Sequence, residues 1–253
     1  MIRYVNHGLT ARNSGGHGVH SPFMFNFIRY VLMERLPYYV FPRIEKLREE
    51  LKNDHRKFIH EDFGRDYPHE RIICDMARTT LQPVRQAQLL FRIAHYFQCR
   101  KVVELGTALG ISTLYLAGSS SQIRCMSFEG CPQLSALARE NFHKLGIANI
   151  EVITGNIDET LLPALEKSGK QDLFFIDANH RLKPTLQYFE NCLNFSHDNT
   201  IILLDDINWS DEMQQAWQTI KVHPAVRATI DLYHLGIVFI NPAMTTKHYK
   251  LRF

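Results

Sequence analysis

Lys101-Val102-Val103-Glu104-Leu105-Gly106-Thr107-Ala108-Leu109-Gly110-Ile111-Ser112-Thr113 reads as a short apolar strand, a glycine-bearing turn and the opening of a helix. The same grammar repeats down the chain. Apolar runs at 123–128, 149–154, 172–177 and 200–205 alternate with helical patterns at 110–118, 132–145, 158–168, 183–194 and 210–221. A strand followed by a helix and another strand returns parallel, because the helix supplies the crossover. Runs such as Ile201-Ile202-Leu203-Leu204 are apolar at every position, as a strand must be when helices cover both faces of its sheet. Two further runs, 225–232 and 235–240, have only Tyr233 and His234 between them, so they must pair antiparallel. The expected fold is α/β: a Rossmann-like sheet of five parallel strands plus a terminal antiparallel hairpin, with helices on both faces.

Upstream the pattern differs. Residues 9–18 are polar and glycine-rich and read as a loop. Ser21-Pro22 has the form of an N-cap with proline at the first helical position, and a helix should follow with Phe23, Phe27, Ile28, Val31 and Leu32 on its apolar face. Pro37 and Pro42 bound a short extended piece, and 43–53 reads as a charged helix. Residues 54–69 are polar and read as a loop, 70–80 as a helix, and Pro83 opens another helix from Val84 to about Phe97. The expected organisation is a mainly helical N-terminal extension over 1–83, serving as a lid or as the contact of a homodimer, and a main domain over 84–253.

Of the 253 residues 45% are hydrophobic and 22% charged, the balance of a soluble globular chain and not of a disordered or collagen-like one. The net charge is +3, and residues 1–83 hold 13 Lys/Arg against 10 Asp/Glu. That bias is milder than the footprint of a nucleic-acid binder, so no nucleic-acid partner is expected. The cysteines number five and no CxxC spacing occurs, which points away from a zinc ribbon or a disulfide framework and toward the reducing cytoplasm. The first eight residues lack an apolar leader core, and no apolar run approaches the ~20 residues needed to cross a bilayer. The pair His17 and His20 has no third ligand nearby and reads as a loop pair, not a zinc site.

The first turn carries the chemistry. A dinucleotide fingerprint has the form G-x-G-x-x-G, but Gly106 is followed by Thr107-Ala108 and then Leu109-Gly110. The missing second glycine argues against a pyrophosphate and hence against NAD. Gly106 still permits a tight turn, and the helix from Gly110 aims its first amides at a ligand carboxylate. Glu129 ends the second strand, 25 residues after Glu104, where a carboxylate can accept from both hydroxyls of a ribose.

This stretch resembles motif I and the acidic second motif of the class I S-adenosylmethionine-dependent methyltransferases, over about residues 84–253, and is most like the catechol and caffeoyl-coenzyme-A O-methyltransferases. The terminal hairpin fits, since that fold inserts an antiparallel last strand. The resemblance implies S-adenosyl-L-methionine as cofactor and a small-molecule hydroxyl as acceptor, with methylation of a protein or RNA group, or cofactor binding without catalysis, as the alternatives. It places Glu104, Gly106, Thr107, Gly110 and Ser112 around the methionine part and Glu129 at the ribose. It places Asn156 and Ile157 at the adenine edge and Asp177 near the cofactor amine. Residues 1–80 match nothing in it.

Asp177 follows the fourth strand, and Asp205 and Asp206 follow the fifth, so three carboxylates should meet at one crevice. They would repel, and a hard divalent ion such as Mg²⁺ is the natural remedy. The resembling O-methyltransferases hold such a metal on two aspartates and an asparagine; here the third position is Asp206. Its alternative role is to cap the helix that starts near Ser210. His180, three residues after Asp177, is the candidate base for the acceptor hydroxyl. Trp209 is expected at the acceptor pocket and Trp217 in the core.

Overall fold

The computed structural model describes residues 7, 8, 11, 21–61 and 68–253. The loop read over 9–18 (Ala11 aside), the pair His17/His20 and the stretch 62–67 lie outside the described residues, as does the leader region over 1–6. In chain order the elements are helix α1 (Pro22–Phe27), a π-helical turn (Ile28–Leu32), α2 (Phe41–Leu51), strands β1 (Lys57–His60) and β2 (His69–Ile72), α3 (Ile73–Thr80), α4 (Val84–Tyr96), β3 (Lys101–Leu105), α5 (Ile111–Ala117), β4 (Arg124–Glu129), α6 (Pro132–Leu145), β5 (Ile150–Thr154), α7 (Ile157–Ser168), β6 (Gln171–Ile176), α8 (Leu182–Asn194), β7 (Ser196–Leu204), α9 (Asp211–Lys221), β8 (Ala228–Asp231), β9 (Gly236–Phe239) and β10 (Lys247–Lys250).

These elements form two compact units, Arg35–Lys167 and the described part of Met1–Glu34 together with Ser168–Phe253. The division does not fall at residue 83. Residues 35–83 pack with the first strand–helix repeats: Val40, Phe41, Ile44, Leu47 and Leu51 share one core with Tyr115, Leu134 and Phe142.

In the unit Arg35–Lys167, β3, β4 and β5 are parallel, with Leu105 opposite Phe128 and Glu129 opposite Thr154. Parallel register aligns the strand ends, so the loops after β3, β4 and β5 emerge along one edge. Two readings of the upstream segment are corrected. Pro42 does not close an extended piece but sits in the first turn of α2, where its missing amide costs nothing. Residues 54–69 are not all loop: Lys57–His60 pairs antiparallel with His69–Ile72. The hairpin is mostly exposed, with Phe58 alone among its first strand's side chains buried, so it leaves no apolar alternation to read.

In the other unit β6 and β7 are parallel, β9 runs antiparallel between β7 and β8, and β10 lies parallel to β8. The antiparallel hairpin is as expected. The additional strand β10 was not expected, because only Tyr249 of its four residues is buried. Ser21 caps α1, accepting from the Met24 amide at 3.3 Å. The apolar face of that helix meets Phe239, with Phe23 and Phe27 in edge contact at ring distances of 5.2 and 5.7 Å.

Candidate functional site

The turn after β3 is set by hydrogen bonds before any ligand is considered. The amides of Gly106 and Thr107 both donate to the Phe128 carbonyl at 3.0 Å, and Gly110 closes the turn on the Thr107 carbonyl at 2.8 Å. Gly106 takes φ +100°, Ala108 +48° and Gly110 +78°. The alanine that stands where a second glycine was sought therefore keeps a left-handed backbone, at a cost of roughly 1–2 kcal/mol. At Gly110 a Cβ would lie 2.4 Å from Phe142 Cε1, so glycine is required by packing as well as by φ. Buried Asn141 locks the turn by donating from Nδ2 to the Leu109 carbonyl at 2.9 Å.

Glu129 grips this turn. Its Oε2 accepts from the Ala108 amide at 2.8 Å and its Oε1 from the Cys131 amide at 2.9 Å. Both carboxylate oxygens are thus fixed by backbone amides at the end of β4. The Glu129 carbonyl accepts from Gly155, which carries the chain at φ +134° into Asn156. Asn156 Oδ1 accepts from the Asp158 amide at 3.0 Å and so caps α7, leaving Nδ2 as the side chain's donor. Ile157 is the first residue of that helix.

Beneath the turn lies a buried polar chain. Glu104 is fully buried; its Oε2 accepts from Ser127 Oγ at 2.6 Å and from Thr113 Oγ1, and Thr107 Oγ1 lies 2.6 Å from Ser127 Oγ. Burial pushes the Glu104 carboxyl up to about 7, opposed by hydrogen bonding from Ser112, Ser127 and Thr113. Its other oxygen, Oε1, is buried and makes no hydrogen bond of ordinary geometry among the described residues, although Ser112 stands close enough to lower the carboxyl's pKa. A carboxylate oxygen so placed suits a cationic or N–H-bearing ligand group. Thr107 is buried, and both its backbone and its side chain serve the turn and this network. Sequence reading missed Ser127, Thr113 and Asn141. Register was the available signal for Ser127, which is the β4 partner of Glu104 and presents a hydroxyl on the same face.

The candidate acceptor residues form a second set, within the unit that holds β6 and β7. Asp177 follows β6, and its Oδ1 lies 3.5 Å from His180 Nε2. Between them the chain is tightly wound: Asn179 and His180 take φ +67° and +44°, and the His180 amide donates to the Ala178 carbonyl at 2.8 Å. Burial pushes the His180 imidazole below the usual histidine range, against the charge of Asp206, which acts the other way. Asp205 is buried, with its amide on the Ile176 carbonyl at 3.0 Å. Asp206 takes φ +52°, and its Oδ1 stands 4.0 Å from His234 Nδ1.

The expected metal trio does not assemble. Among the described residues no group of three His, Cys, Asp or Glu side chains stands where it could hold a metal ion. Asp177 faces His180 and Asp206 faces His234, so the carboxylates are met by imidazoles. Asp206 does not cap α9 either. Ser210 does, its Oγ accepting from the Met213 amide at 3.1 Å. Trp217 is in the core, at 1% exposure, whereas Trp209 is 74% exposed. All five cysteines are buried, and among the described residues no helix is long and apolar enough to cross a membrane.

A family model described as a methyltransferase domain matches residues 103–207. A catechol O-methyltransferase of Mycobacterium tuberculosis is 33% identical over 125 residues, which is 49% of this chain and 55% of that protein. The chain thus spans about half the length of the curated relatives it matches. The structure of cofactor-bound Rv0187 from MTB aligns with a TM-score of 0.58 at 25% identity, covering 64% of this chain and 83% of that one. An O-methyltransferase from Bacillus cereus in complex with SAH aligns with a TM-score of 0.58 at 20% identity, covering 83% of this chain and 96% of that one, a likeness of fold alone.

Proposed function

We propose that the chain, whose residues 103–207 match a family model described as a methyltransferase domain, is an S-adenosylmethionine-dependent O-methyltransferase acting on a small-molecule hydroxyl. The observation that supports this reading is the clamp of Glu129 on the Gly106–Gly110 turn: a glycine-bearing loop tied by the Ala108 amide to the carboxylate at the end of β4, the position of a ribose-binding acid. The relatives' activities support the acceptor class.

In this reading Gly106, Thr107 and Gly110 line the methionine part, with Ser112 beside the cofactor carboxylate. Glu104 supplies negative charge beneath the ammonium of the methionine part. Asn156 and Ile157 border adenine, with Asn156 Nδ2 as the donor. Asp177 is carried over as a cofactor contact on the resemblance alone. S-adenosylmethionine, when bound, would supply an activated methyl on its sulfonium sulfur, the sulfur leaving as a neutral thioether. His180 Nδ1 receives the hydroxyl proton as the oxygen–carbon bond forms, and Asp177 Oδ1 beside Nε2 steadies the imidazolium. The depressed basicity of half-buried His180 keeps the ring neutral and able to accept at neutral pH. No step is assigned to Mg²⁺, since the three carboxylates do not gather as a ligand set. The cytoplasm is the compartment this reading assigns.

The test is methyl transfer from labelled S-adenosylmethionine to a panel of hydroxylated small molecules, run with and without EDTA. Label in a small molecule, undiminished by EDTA, supports the reading. Label appearing only in protein or RNA would contradict the acceptor class. Turnover that EDTA abolishes and Mg²⁺ restores would give Asp177, Asp205 and Asp206 the metal role instead.

A further inference from the structure

His7 and Gly8 are fastened to the sheet edge from which the loops after β6 and β7 emerge, and no motif pointed to them. His7 is 5% exposed, and its Nε2 lies 2.9 Å from Asp231 Oδ1. An ionised carboxylate only accepts, so the ring donates from Nε2. The Gly8 carbonyl accepts from Arg252 Nε at 2.7 Å, so the pair is held at two points. Asp231 ends β8 at the edge where β7 ends, for Gly236 is in register with both Asp231 and Leu204. The same Asp231 Oδ1 accepts from the Tyr233 amide at 2.9 Å. Tyr233 takes φ +75°, a backbone that a bulky residue keeps only where its contacts hold it there. The His7 ring meets the Tyr233 ring edge-on at 5.4 Å. From Tyr233 the hydrogen bonds run on toward the proposed base. The Tyr233 carbonyl accepts from Asn208 Nδ2 at 2.7 Å, and the His234 carbonyl from the Ile207 amide at 3.2 Å. Both donors lie in the loop after β7, and Asn208 Oδ1 accepts in turn from Gln214 Nε2 of α9 at 3.2 Å. That loop and α9 hold the loop of Asp177 and His180 at both its ends. The Asp205 amide donates to the Ile176 carbonyl at 3.0 Å, and Glu212 Oε2 accepts from the Leu182 amide at 2.8 Å. Every residue on this path belongs to the unit that holds β6 and β7.

Resting on the function proposed above, we propose that His7 is a positioning residue for the methyl transfer: it fixes the β8–β9 turn, and through that turn the loop after β7, in the arrangement that holds His180 for the acceptor. Removing the imidazole takes away the ring and the donor that brace the left-handed turn, and the loop after β7 can then shift relative to His180. A general base works only from a fixed distance to the proton it takes, so a small shift lowers the rate while cofactor binding stays as it was.

The test follows ring-labelled histidine in the full chain by nuclear magnetic resonance and measures methyl transfer to catechol alongside. His7→Ala is expected to move the His180 ring signal and to lower kcat with catechol at least fivefold, while KM for S-adenosylmethionine stays within twofold. His7→Gln, whose amide nitrogen can donate in place of Nε2, should restore both readings. Asn208→Ala cuts the same path further on; it should repeat the loss, and it serves where His7→Ala does not fold. His197→Ala removes a bond of the same kind, to Asp172 at 2.9 Å, near the other end of β7, and should change neither reading. A His180 signal unmoved by His7→Ala, no rescue by glutamine, or an equal loss in His197→Ala overturns the proposal. A native chain that transfers no methyl to catechol would instead overturn the acceptor reading, and this inference with it.

Discussion

The Ala108 amide donates to Glu129 Oε2 at 2.8 Å, joining the turn after β3 to the end of β4. That bond explains how alanine can occupy a position in a left-handed conformation where a glycine would be easier. The strain is held by a carboxylate that also accepts from Cys131. The cradle is therefore one hydrogen-bonded unit, and damage to its turn should be felt as stability as well as binding.

Gly110→Ala tests this. The new Cβ meets Phe142 at 2.4 Å in a backbone of φ +78°. Left-handed strain and overpacking together should cost ~2–4 kcal/mol. Thermal unfolding should fall by roughly 5–15 °C. An unchanged melting temperature would show that Phe142 gives way freely.

Glu104 makes stability depend on pH in a stated direction. Its folded value of about 7 lies above the ordinary 4.5. Below about pH 4.5 the carboxyl is protonated folded or unfolded and the difference vanishes. Between about 4.5 and 7 the folded state holds more protons, so stability falls as pH rises, and above 7 the whole penalty, on the order of 3 kcal/mol, is present. Glu104→Gln should remove that slope. Melting curves at pH 5 and pH 8 check it: the variant should gain on the native chain at the higher pH, and parallel curves would refute the assignment.

Phe27 is fully buried and touches Phe239 edge-on at 5.7 Å. Phe27→Ala should cost ~3–5 kcal/mol, measured by urea unfolding. A loss under 1 kcal/mol would mean that α1 contributes little to holding the unit of β6–β10 together.

His180→Gln should lower kcat ~10²-fold or more, the scale of a lost general base, while leaving S-adenosylhomocysteine affinity within twofold. Equal losses in both would assign His180 to cofactor binding, and full turnover would remove it from the chemistry.

The strand–helix alternation from Lys101 onward was legible because each strand is apolar throughout and each helix keeps its period, so local pattern and tertiary burial agree. Gly106, Gly110 and Glu129 were legible for a similar reason: turn chemistry and strand-end position are local properties. Ser127 and Asn141 were not, since a hydroxyl or amide that satisfies a partner 23 or 32 residues away leaves no local mark. The metal trio failed on the opposite point: adjacency of strand ends brings carboxylates to one edge, but left-handed turns at His180 and Asp206 decide what each one faces.

The central claim is that the turn and carboxylate bind a nucleoside joined to methionine. Calorimetric titration of S-adenosylhomocysteine into the full chain and into Glu129→Ala tests it most directly. The account predicts saturable binding to the native chain, weaker by ~1–3 kcal/mol in the variant, as befits lost charge-assisted hydrogen bonds. NAD should give no heat with either. Equal affinity for S-adenosylhomocysteine in both chains, or binding of NAD in its place, would contradict it.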